Sequence, residues 1–311
     1  MTVDIIKRIL AGTAIVLWVV VCSSSLFAQG TRETIQIAKD VYTMTGAGSN
    51  ANIVVTDEGV LVFDSDIRNN DLPAIRKVTN KKVVYLFASH ASGDHSTGAW
   101  HFREDKPVYI GTRDQIRAYF QHEAKEFDER KAQGMAGYKE PGAQLVPPSM
   151  GFEQALTVMF GGLTFQATAE GYGHTSGDMT MYIPQKRVMF MGDLLNNEVH
   201  PGQAEAAGVF YAHIQGQIDI LNNIINRNLA VDTYVPGHGP VHVGKGIADV
   251  VDQRDYFILM RDEVAKMVMA GKSLEQILKE FKVPQRFAHY NPGRLPGILR
   301  LFYNQLIERG Y

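Results

Sequence analysis

The sequence offers little for disulfide or thiolate chemistry. Its only cysteine, Cys22, lies in the N-terminal segment. A chain with one cysteine has no internal disulfide, and once that segment is removed it has no thiolate ligand either. Any metal ion would then be held by His, Asp, Glu and water.

The sequence also lacks an excess of charge of one sign. Its formal net charge is -2 and its pI is about 6.6, and it has no dense Lys/Arg cluster with interleaved aromatic residues. This argues against nucleic-acid binding. With 45% hydrophobic and 21% charged residues, the composition is globular and not disordered or fibrous. We therefore expect a small-molecule substrate as partner, while the oligomeric state stays open.

The N-terminal segment has the pattern of an export signal. Lys7 and Arg8 precede an apolar run at 9–22, which is short for a membrane span, and a small-residue stretch ends at Ala28. We predict a signal peptide at 1–28 and a periplasmic or secreted protein. Leu26 stands where cleavage prefers a small residue, so an uncleaved inner-membrane anchor is the alternative.

The rest of the chain predicts strands and helices in one domain. Strands are expected at 35–45, 52–56, 60–63, 82–88, 108–111, 157–160, 163–167, 179–183, 187–191 and 233–235. Helices are expected at 72–78, 98–102, 113–133, 214–226 and over most of 247–311, and 134–151 is expected to be a loop bordering a site. The pattern predicts an α/β domain at 29–245, with a helical extension at 246–311 packed on the same domain.

Six His and Asp residues fall in loops next to predicted strands, where functional side chains are usually placed. Taken singly, each is more often a cap, a turn residue or a solvated side chain. Three of them lie within six residues, and the glycine between them lets that loop fold tightly. The six candidate metal ligands are His90, Asp94, His95, His174, Asp193 and His238.

The order of these motifs resembles that of the metallo-β-lactamase superfamily. A strand ending at Asp64 is followed by His90-x-x-x-Asp94-His95, and then by Gly-His, Gly-Asp and Gly-His pairs at His174, Asp193 and His238. Within the superfamily, the chain looks most like the glyoxalase II-like metallohydrolases. The resemblance runs from about residue 52 to residue 238, and it implies a four-layer αββα sandwich with one or two zinc ions at a sheet edge.

The resemblance also implies roles for individual residues. His90 and His174 correspond to ligands of a first metal, and Asp193 corresponds to a carboxylate shared by both metals. The second metal would be held by Asp94, His95 and His238, and Asp64 would support the site structurally.

One position departs from the family pattern. The pattern is His-x-His-x-Asp-His, and its second His falls here on Ser92. Because a hydroxyl is a poor ligand beside imidazole, we expect at most a weak or water-mediated metal contact from Ser92. The second site is then predicted to be the stronger one, and the first to be weak, labile or selective for manganese or iron.

The implied activity is hydrolysis of an ester, thioester, lactone or amide by a metal-bound hydroxide, with Asp94 as catalytic residue. The alternatives are a non-catalytic binding protein with a degraded first metal site, or an iron-dependent thiol-oxidising relative. A Ser-His-Asp triad is disfavoured, because Ser92, Ser96 and Ser176 lack the Gly-x-Ser-x-Gly motif. Among the remaining histidines, His242 and His289 are the better candidates for contact with metal or substrate.

Overall fold

The computed structural model describes residues 32–202 and 212–308, in which the chain forms two β-sheets. The predicted signal segment at 1–28 lies outside the described residues. The first sheet has seven strands in sequence order: β1 (Glu33–Ala38), β2 (Val41–Thr45), β3 (Ala51–Val55), β4 (Val60–Phe63), β5 (Val83–Phe87), β6 (Val108–Thr112) and β7 (Met150–Phe152). The first four strands are antiparallel, and β4 to β7 run parallel.

The second sheet contains the strands of the later part of the chain. They are β8 (Ala155–Phe160), β9 (Leu163–Gly171), β10 (Asp178–Ile183), β11 (Val188–Phe190) and β12 (Thr233–Val235), in the spatial order β12-β11-β10-β9-β8. The strands β8 to β11 are antiparallel, whereas β12 runs parallel to β11. The predicted hairpin around Gly161 and Gly162 joins β8 and β9.

Helices cover the outer faces of both sheets. They are α1 (Leu72–Val78), α2 (Gly93–Ser96), α3 (Arg113–Ala118), α4 (Ala124–Ala132), α5 (Ile214–Asn226), α6 (Ala248–Met269), α7 (Leu274–Glu280) and α8 (Leu295–Glu308). Helix α1 packs on the first sheet, and α5 to α8 pack on the second. The predicted αββα sandwich with a helical C-terminal region is thereby confirmed.

An apolar core joins the two sheets. Phe63 and Phe87 of the first sheet are fully buried with Phe165, Met181 and Phe190 of the second. The rings of Phe63 and Phe190 have centroids 5.4 Å apart. Such close packing fixes one sheet against the other, and so fixes the relative positions of the loops at their shared edge.

The C-terminal helices share a second core with the outer face of the second sheet. Phe257 of α6 and Phe302 of α8 are buried in one cluster with Leu221 of α5 and with Tyr182 and Tyr234 of the sheet. Within residues 32–202 and 212–308, none of the helices has both the length and the apolar character needed to span a membrane.

Three elements differ from the sequence-based prediction. The predicted strand 35–45 is broken by a turn at Asp40, whose φ of 63° is left-handed, a conformation that Asp tolerates better than most residues. The predicted helix 113–133 contains a π-helical turn, Tyr119–Glu123, between α3 and α4. The predicted loop 134–151 ends in a short strand, β7, which begins at Met150. Its three residues are too few to show a periodic pattern in the sequence.

Candidate metal centre

The six candidate ligands meet at one edge of the two sheets. His90 follows β5, and His95 lies with Asp94 in the short helix α2. His174 occupies the loop between β9 and β10, Asp193 lies in the 3₁₀ turn Gly192–Leu194 after β11, and His238 follows β12. Each ligand therefore lies in a loop, turn or short helix that follows a strand, and each of these strands has side chains buried in the core.

These residues form two groups, each compact enough to hold one metal ion. The first group is His90, His174 and Asp193, and the second is Asp94, His95 and His238, with the ligand atoms of each group within 4.8 Å of one another. This division matches the one implied by the family resemblance.

Asp193 lies between the two groups. Its Oδ2 is 3.5 Å from His174 Nε2 in the first group and 3.4 Å from His238 Nε2 in the second, and its Oδ1 is 3.2 Å from His95 Nε2. This position is suited to a carboxylate shared by two ions.

Three of the histidines are held through Nδ1. His95 Nδ1 lies 2.9 Å from Asp64 Oδ2, and His90 Nδ1 lies 2.9 Å from Ser89 Oγ. His238 Nδ1 is 3.2 Å from the carbonyl oxygen of Gly48. A histidine that ligates metal is usually oriented in this way through its other nitrogen. In all three histidines, Nε2 therefore remains as the nitrogen that can bind a metal ion.

Buried ligand atoms without hydrogen-bond partners show that these residues fit a metal ion. His90 Nε2, His95 Nε2 and Asp193 Oδ1 are buried and have no hydrogen-bond partner. Leaving such groups unsatisfied costs about 1–3 kcal/mol each, so natural proteins rarely keep several of them together. Imidazole and carboxylate are the ligand types that zinc binds in the absence of thiolates.

The charges at the site keep its carboxylates ionised. Burial raises the pKa of Asp193, but the nearby His238, His95 and His174 outweigh it and hold this pKa well below its usual range. Burial also raises the pKa of Asp94, and the opposing effects of His95 and His238 again lower it overall. Both side chains are thus in the form that binds metal.

Ser92 makes a contact inside the second group. It precedes α2, and its hydroxyl donates a hydrogen bond of 2.8 Å to Asp94 Oδ1. The hydroxyl is therefore engaged with a ligand of the second metal. Its weak or water-mediated metal contact stays a prediction.

Two residues that support the site were missed by the sequence analysis. Ser89 links Asp64 to the ligands, since its N–H and hydroxyl both donate to that carboxylate, at 2.6 and 2.9 Å. Asp178 holds the His174 loop by accepting hydrogen bonds from the N–H groups of His174 and Thr175, at 2.6 and 2.9 Å. The carboxylate in Gly-His-Thr-Ser-Gly-Asp was a signal for the second, but no pattern pointed to Ser89.

The other candidates lie outside the two groups. His242 pairs with Asp249 and Glu198, at 3.0 and 3.2 Å. His289 lines a polar cavity of about 150 Å³ with these same residues. The Ser92 hydroxyl donates a hydrogen bond to Asp94, and the Ser96 hydroxyl donates one to the carbonyl of Ser92. Among the described hydrogen bonds, neither hydroxyl is bonded to a histidine, as a catalytic triad would require.

Residues 44–238 match the metallo-beta-lactamase superfamily, and this segment contains all six ligands. The chain belongs to this superfamily. Its members bind metal ions, typically zinc, and the two groups above are its candidate sites.

Two kinds of hydrolase are similar to the chain in sequence. It is 23% identical over 225 residues to a type 2 metallo-beta-lactamase from Bacillus cereus, and the aligned region covers 68% of this chain and 78% of the relative. It is 20% identical over 275 residues to a linear primary-alkylsulfatase from Pseudomonas sp. (strain ATCC 19151), and the aligned region covers 77% of this chain and 51% of that protein. These relatives identify the chain as a metal-dependent hydrolase.

The same two kinds of protein are similar to it in structure. The sec-alkylsulfatase Pisa1 from Pseudomonas sp. has a TM-score of 0.68 at 17% identity, over 88% of this chain and 50% of that one. A metallo-beta-lactamase from Pontibacter korlensis has a TM-score of 0.56 at 17% identity, over 72% of this chain and 99% of the other. The chain spans about half the length of the alkylsulfatases it matches. The glyoxalase II-like branch stays a prediction.

Proposed function

We propose that the protein hydrolyses an ester, thioester, lactone or amide bond at this centre. The observation that supports it best is the convergence of six ligand residues at one sheet edge, with buried ligand atoms that have no hydrogen-bond partner. A bound metal ion lowers the pKa of a coordinated water to about 7 and polarises the bond under attack.

Asp94 is the ligand residue best placed to act on the substrate. Its side chain is 21% exposed, whereas the next most exposed ligand, His174, is at 8%. Asp94 Oδ1 accepts the Ser92 hydroxyl, and Oδ2 lies 3.2 Å from His238 Nε2. We assign to Asp94 the orientation of the attacking water and the transfer of a proton to the leaving group.

For the metal, we propose zinc, bound more tightly by the second group than by the first. The second group has Asp94, His95 and His238 and shares Asp193, while the first has two imidazoles and that same carboxylate. Elemental analysis of purified protein should find one tightly held ion and a second that is lost on dialysis or replaced by manganese or iron. Two zinc ions that both resist dialysis would contradict this proposal.

A second candidate activity is hydrolysis of an alkyl sulfate ester. The structural similarity to the alkylsulfatase Pisa1 extends over 88% of the chain, against 72% for the Pontibacter korlensis β-lactamase. The alkylsulfatase fold thus matches a larger part of this chain than the β-lactamase fold does. This larger match favours alkyl sulfate hydrolysis over β-lactam hydrolysis.

A substrate panel tests both candidates. The zinc-loaded protein is incubated with an ester, a thioester, a lactone, an amide and an alkyl sulfate of matched chain length. We expect turnover of at least one compound, its loss on chelation and its recovery with zinc. Asp94→Asn should lose most activity even in excess zinc. Activity that survives chelation would indicate a serine hydrolase instead.

Two other outcomes support the alternatives. A protein that holds zinc and hydrolyses nothing in the panel would be a binding protein. One that holds iron and consumes oxygen with a thiol substrate would be a thiol oxidase. For location, we propose export to the periplasm or beyond, and fractionation of cells expressing the full chain tests this.

A further inference from the structure

Arg68 places a guanidinium at the edge of the second metal group. Its Nη2 lies 3.9 Å from Asp94 Oδ2. The same oxygen faces His95 Nε2 and His238 Nε2, at 3.8 and 3.2 Å. The guanidinium therefore lies beside the atoms that would hold the second metal ion.

A buried carboxylate holds Arg68 in this position. Asp66 is 1% exposed, and its Oδ2 lies 2.6 Å from Nη2 and 2.9 Å from Nε of Arg68. Its Oδ1 also accepts a hydrogen bond from the backbone N–H of Arg68 at 2.8 Å. These side-chain contacts use one edge of the planar guanidinium, the edge formed by Nε and Nη2.

Two neighbouring loops fix the backbone around Arg68. A Cβ on Gly48 would lie 2.8 Å from Asn69 Nδ2, and the carbonyl oxygen of Gly48 lies 3.2 Å from His238 Nδ1. Gly137 approaches so closely that a Cβ there would lie 2.8 Å from the Cα of Arg68. This second glycine belongs to the loop that the sequence predicts to border a site. Arg68 is thus held between a metal-ligand contact and that loop.

The other edge of the guanidinium is open to a ligand. The Arg68 side chain is 38% exposed, and among the described residues none forms a hydrogen bond or an ion pair with its Nη1. Nη1 and the second hydrogen of Nη2 form an edge that matches two oxygens of a carboxylate, sulfate or phosphate group. Because Asp66 already orders the side chain, an anion that binds there orders little more of the protein.

We propose that Arg68 binds an anionic oxygen group of the substrate, beside the bond that the metal centre hydrolyses. This inference rests on the proposed function and narrows it to substrates that carry a negative charge at or next to that bond. The charged group is the sulfate of an alkyl sulfate or a carboxylate near an acyl bond, and each presents the pair of oxygens that the open edge fits.

Calorimetric titration of the zinc-loaded protein tests the inference without turnover. The probes are octanesulfonate, octanoate and the uncharged octyl methyl sulfone. Arg68→Gln should weaken binding of the preferred anion about tenfold and leave binding of the neutral probe unchanged. This loss lies at the lower end of the range for a charged hydrogen bond, because the guanidinium is partly exposed and already paired with Asp66.

The part of the affinity that depends on Arg68 identifies the source of the charge. Each anion can also bind zinc directly, so total affinity does not distinguish the two sources. A larger loss for octanesulfonate in Arg68→Gln would assign the sulfate source. A larger loss for octanoate would assign the carboxylate source.

Arg76→Gln is the matched control. Arg76 is 32% exposed and pairs with Asp105 at 2.6 Å, much as Arg68 pairs with Asp66. Asp105 accepts a hydrogen bond from the N–H of Val83 at the start of β5, whereas the first ligand of the metal centre follows the other end of that strand. Loss of this arginine should change none of the three affinities.

Zinc content separates anion binding from support of the metal site. By elemental analysis, Arg68→Gln should retain as much zinc as the original chain. Loss of zinc from this variant, equal weakening of all three probes, or anion affinities equal to those of the original chain would overturn the proposal. If Arg68→Gln does not fold, Arg68→Lys keeps the charge but loses the planar fork, and should still weaken anion binding.

The same measurements distinguish this inference from the proposed function. A protein that binds the anion through Arg68 but hydrolyses nothing would contradict the proposed function alone. Chelator-sensitive hydrolysis by a protein whose anion binding does not depend on Arg68 would contradict this inference alone.

Discussion

We predict that Ser92 causes the two metal groups to differ in their affinity for metal. Its hydroxyl is occupied by Asp94, so the first group relies on His90, His174 and Asp193. In Ser92→His, an imidazole replaces a poor ligand, and we expect a second zinc ion to be retained through dialysis. Elemental analysis of the purified variant and of the original chain measures this.

The matched control for this prediction is Ser92→Ala. It removes the hydrogen bond to Asp94 without adding a ligand, and should therefore leave the number of retained ions unchanged. If the alanine variant gained an ion as well, the effect would come from releasing Asp94 and not from the new imidazole.

We predict that Asp64, which lies outside the ligand set, influences metal affinity through His95. It is buried, and its carboxylate contacts His95 Nδ1 and both donors of Ser89. Asp64→Asn keeps the size and tolerates the left-handed backbone at this position, where φ is 68°. We expect zinc affinity to fall about tenfold to a hundredfold, as when other groups that orient a ligand are removed.

Competition with a chromogenic chelator measures this affinity. Asp71→Asn is the matched control, because Asp71 is equally buried but pairs with Arg32. It should alter stability and leave zinc affinity unchanged. Equal zinc affinities for Asp64→Asn and the original chain would rule out a role for Asp64 in holding His95.

At the residue scale, the candidate ligands and the supporting Asp64 could be predicted from the sequence, whereas the supporting Ser89 could not. His90, Asp94 and His95 form a local motif, and glycine precedes each of His174, Asp193 and His238. Ser89 acts through its contact with Asp64, which is distant in the sequence, and a single sequence does not show which distant residues meet.

At the scale of elements, the π-helical turn Tyr119–Glu123 braces the helix that carries two ligands. Glu123 is buried and accepts a hydrogen bond from Arg130 at 2.9 Å. A Cβ on Gly93 of α2 would lie 2.1 Å from Arg130 Nη1 and 3.0 Å from Glu123 Oε1. The hydrogen-bonded pair of Glu123 and Arg130 therefore packs directly against the metal-binding loop, and only glycine leaves room for it.

Glu123 should also make the stability depend on pH. Burial raises its pKa from 4.5 to about 8, against the opposing effect of Arg130. Between these values the folded state holds a proton that the unfolded state has lost, so the free energy of unfolding falls as pH rises. The contribution is about 1.4 kcal/mol per pH unit, and Glu123→Gln should remove it.

Denaturant unfolding of both proteins across this pH range tests the prediction. Glutamine can still accept the hydrogen bond from Arg130, so the comparison isolates the proton. Parallel pH profiles for the two proteins would mean that Glu123 is ionised in the folded state throughout.

Regular elements were easier to predict than interruptions within them. Helix α5 has the predicted bounds because its apolar periodicity defines it, and strand β12 has them because Pro236 and Gly237 mark its end. The break at Asp40 and the π-helical turn each depend on one or two residues. Such local events leave the periodic pattern almost unchanged.

At the scale of the whole molecule, the C-terminal helices contribute to the main body of the protein. Phe302 of α8 is buried in the cluster that also contains the second sheet and α5. Phe302→Ala should lower the free energy of unfolding by about 3–5 kcal/mol through lost burial and the cavity it leaves. Ile307→Ala, on the same helix but 46% exposed, should change it by less than about 1 kcal/mol.

Chemical denaturation followed by tryptophan fluorescence and by circular dichroism checks this. We expect the two signals to change in one shared transition for both variants. Separate transitions, with the Phe302 variant affecting only one of them, would show that the helices fold apart from the sandwich.

The metal centre joins ligands from two separate sheets. His90, Asp94 and His95 follow the first sheet, whereas His174, Asp193 and His238 belong to loops of the second. Neither half of the chain holds a full set of ligands for two ions. Fragments divided after Phe152 would reunite through the core between the sheets, and zinc bound across that junction would strengthen their association. A split version of this protein could then serve as a sensor in which fragment complementation reports free zinc.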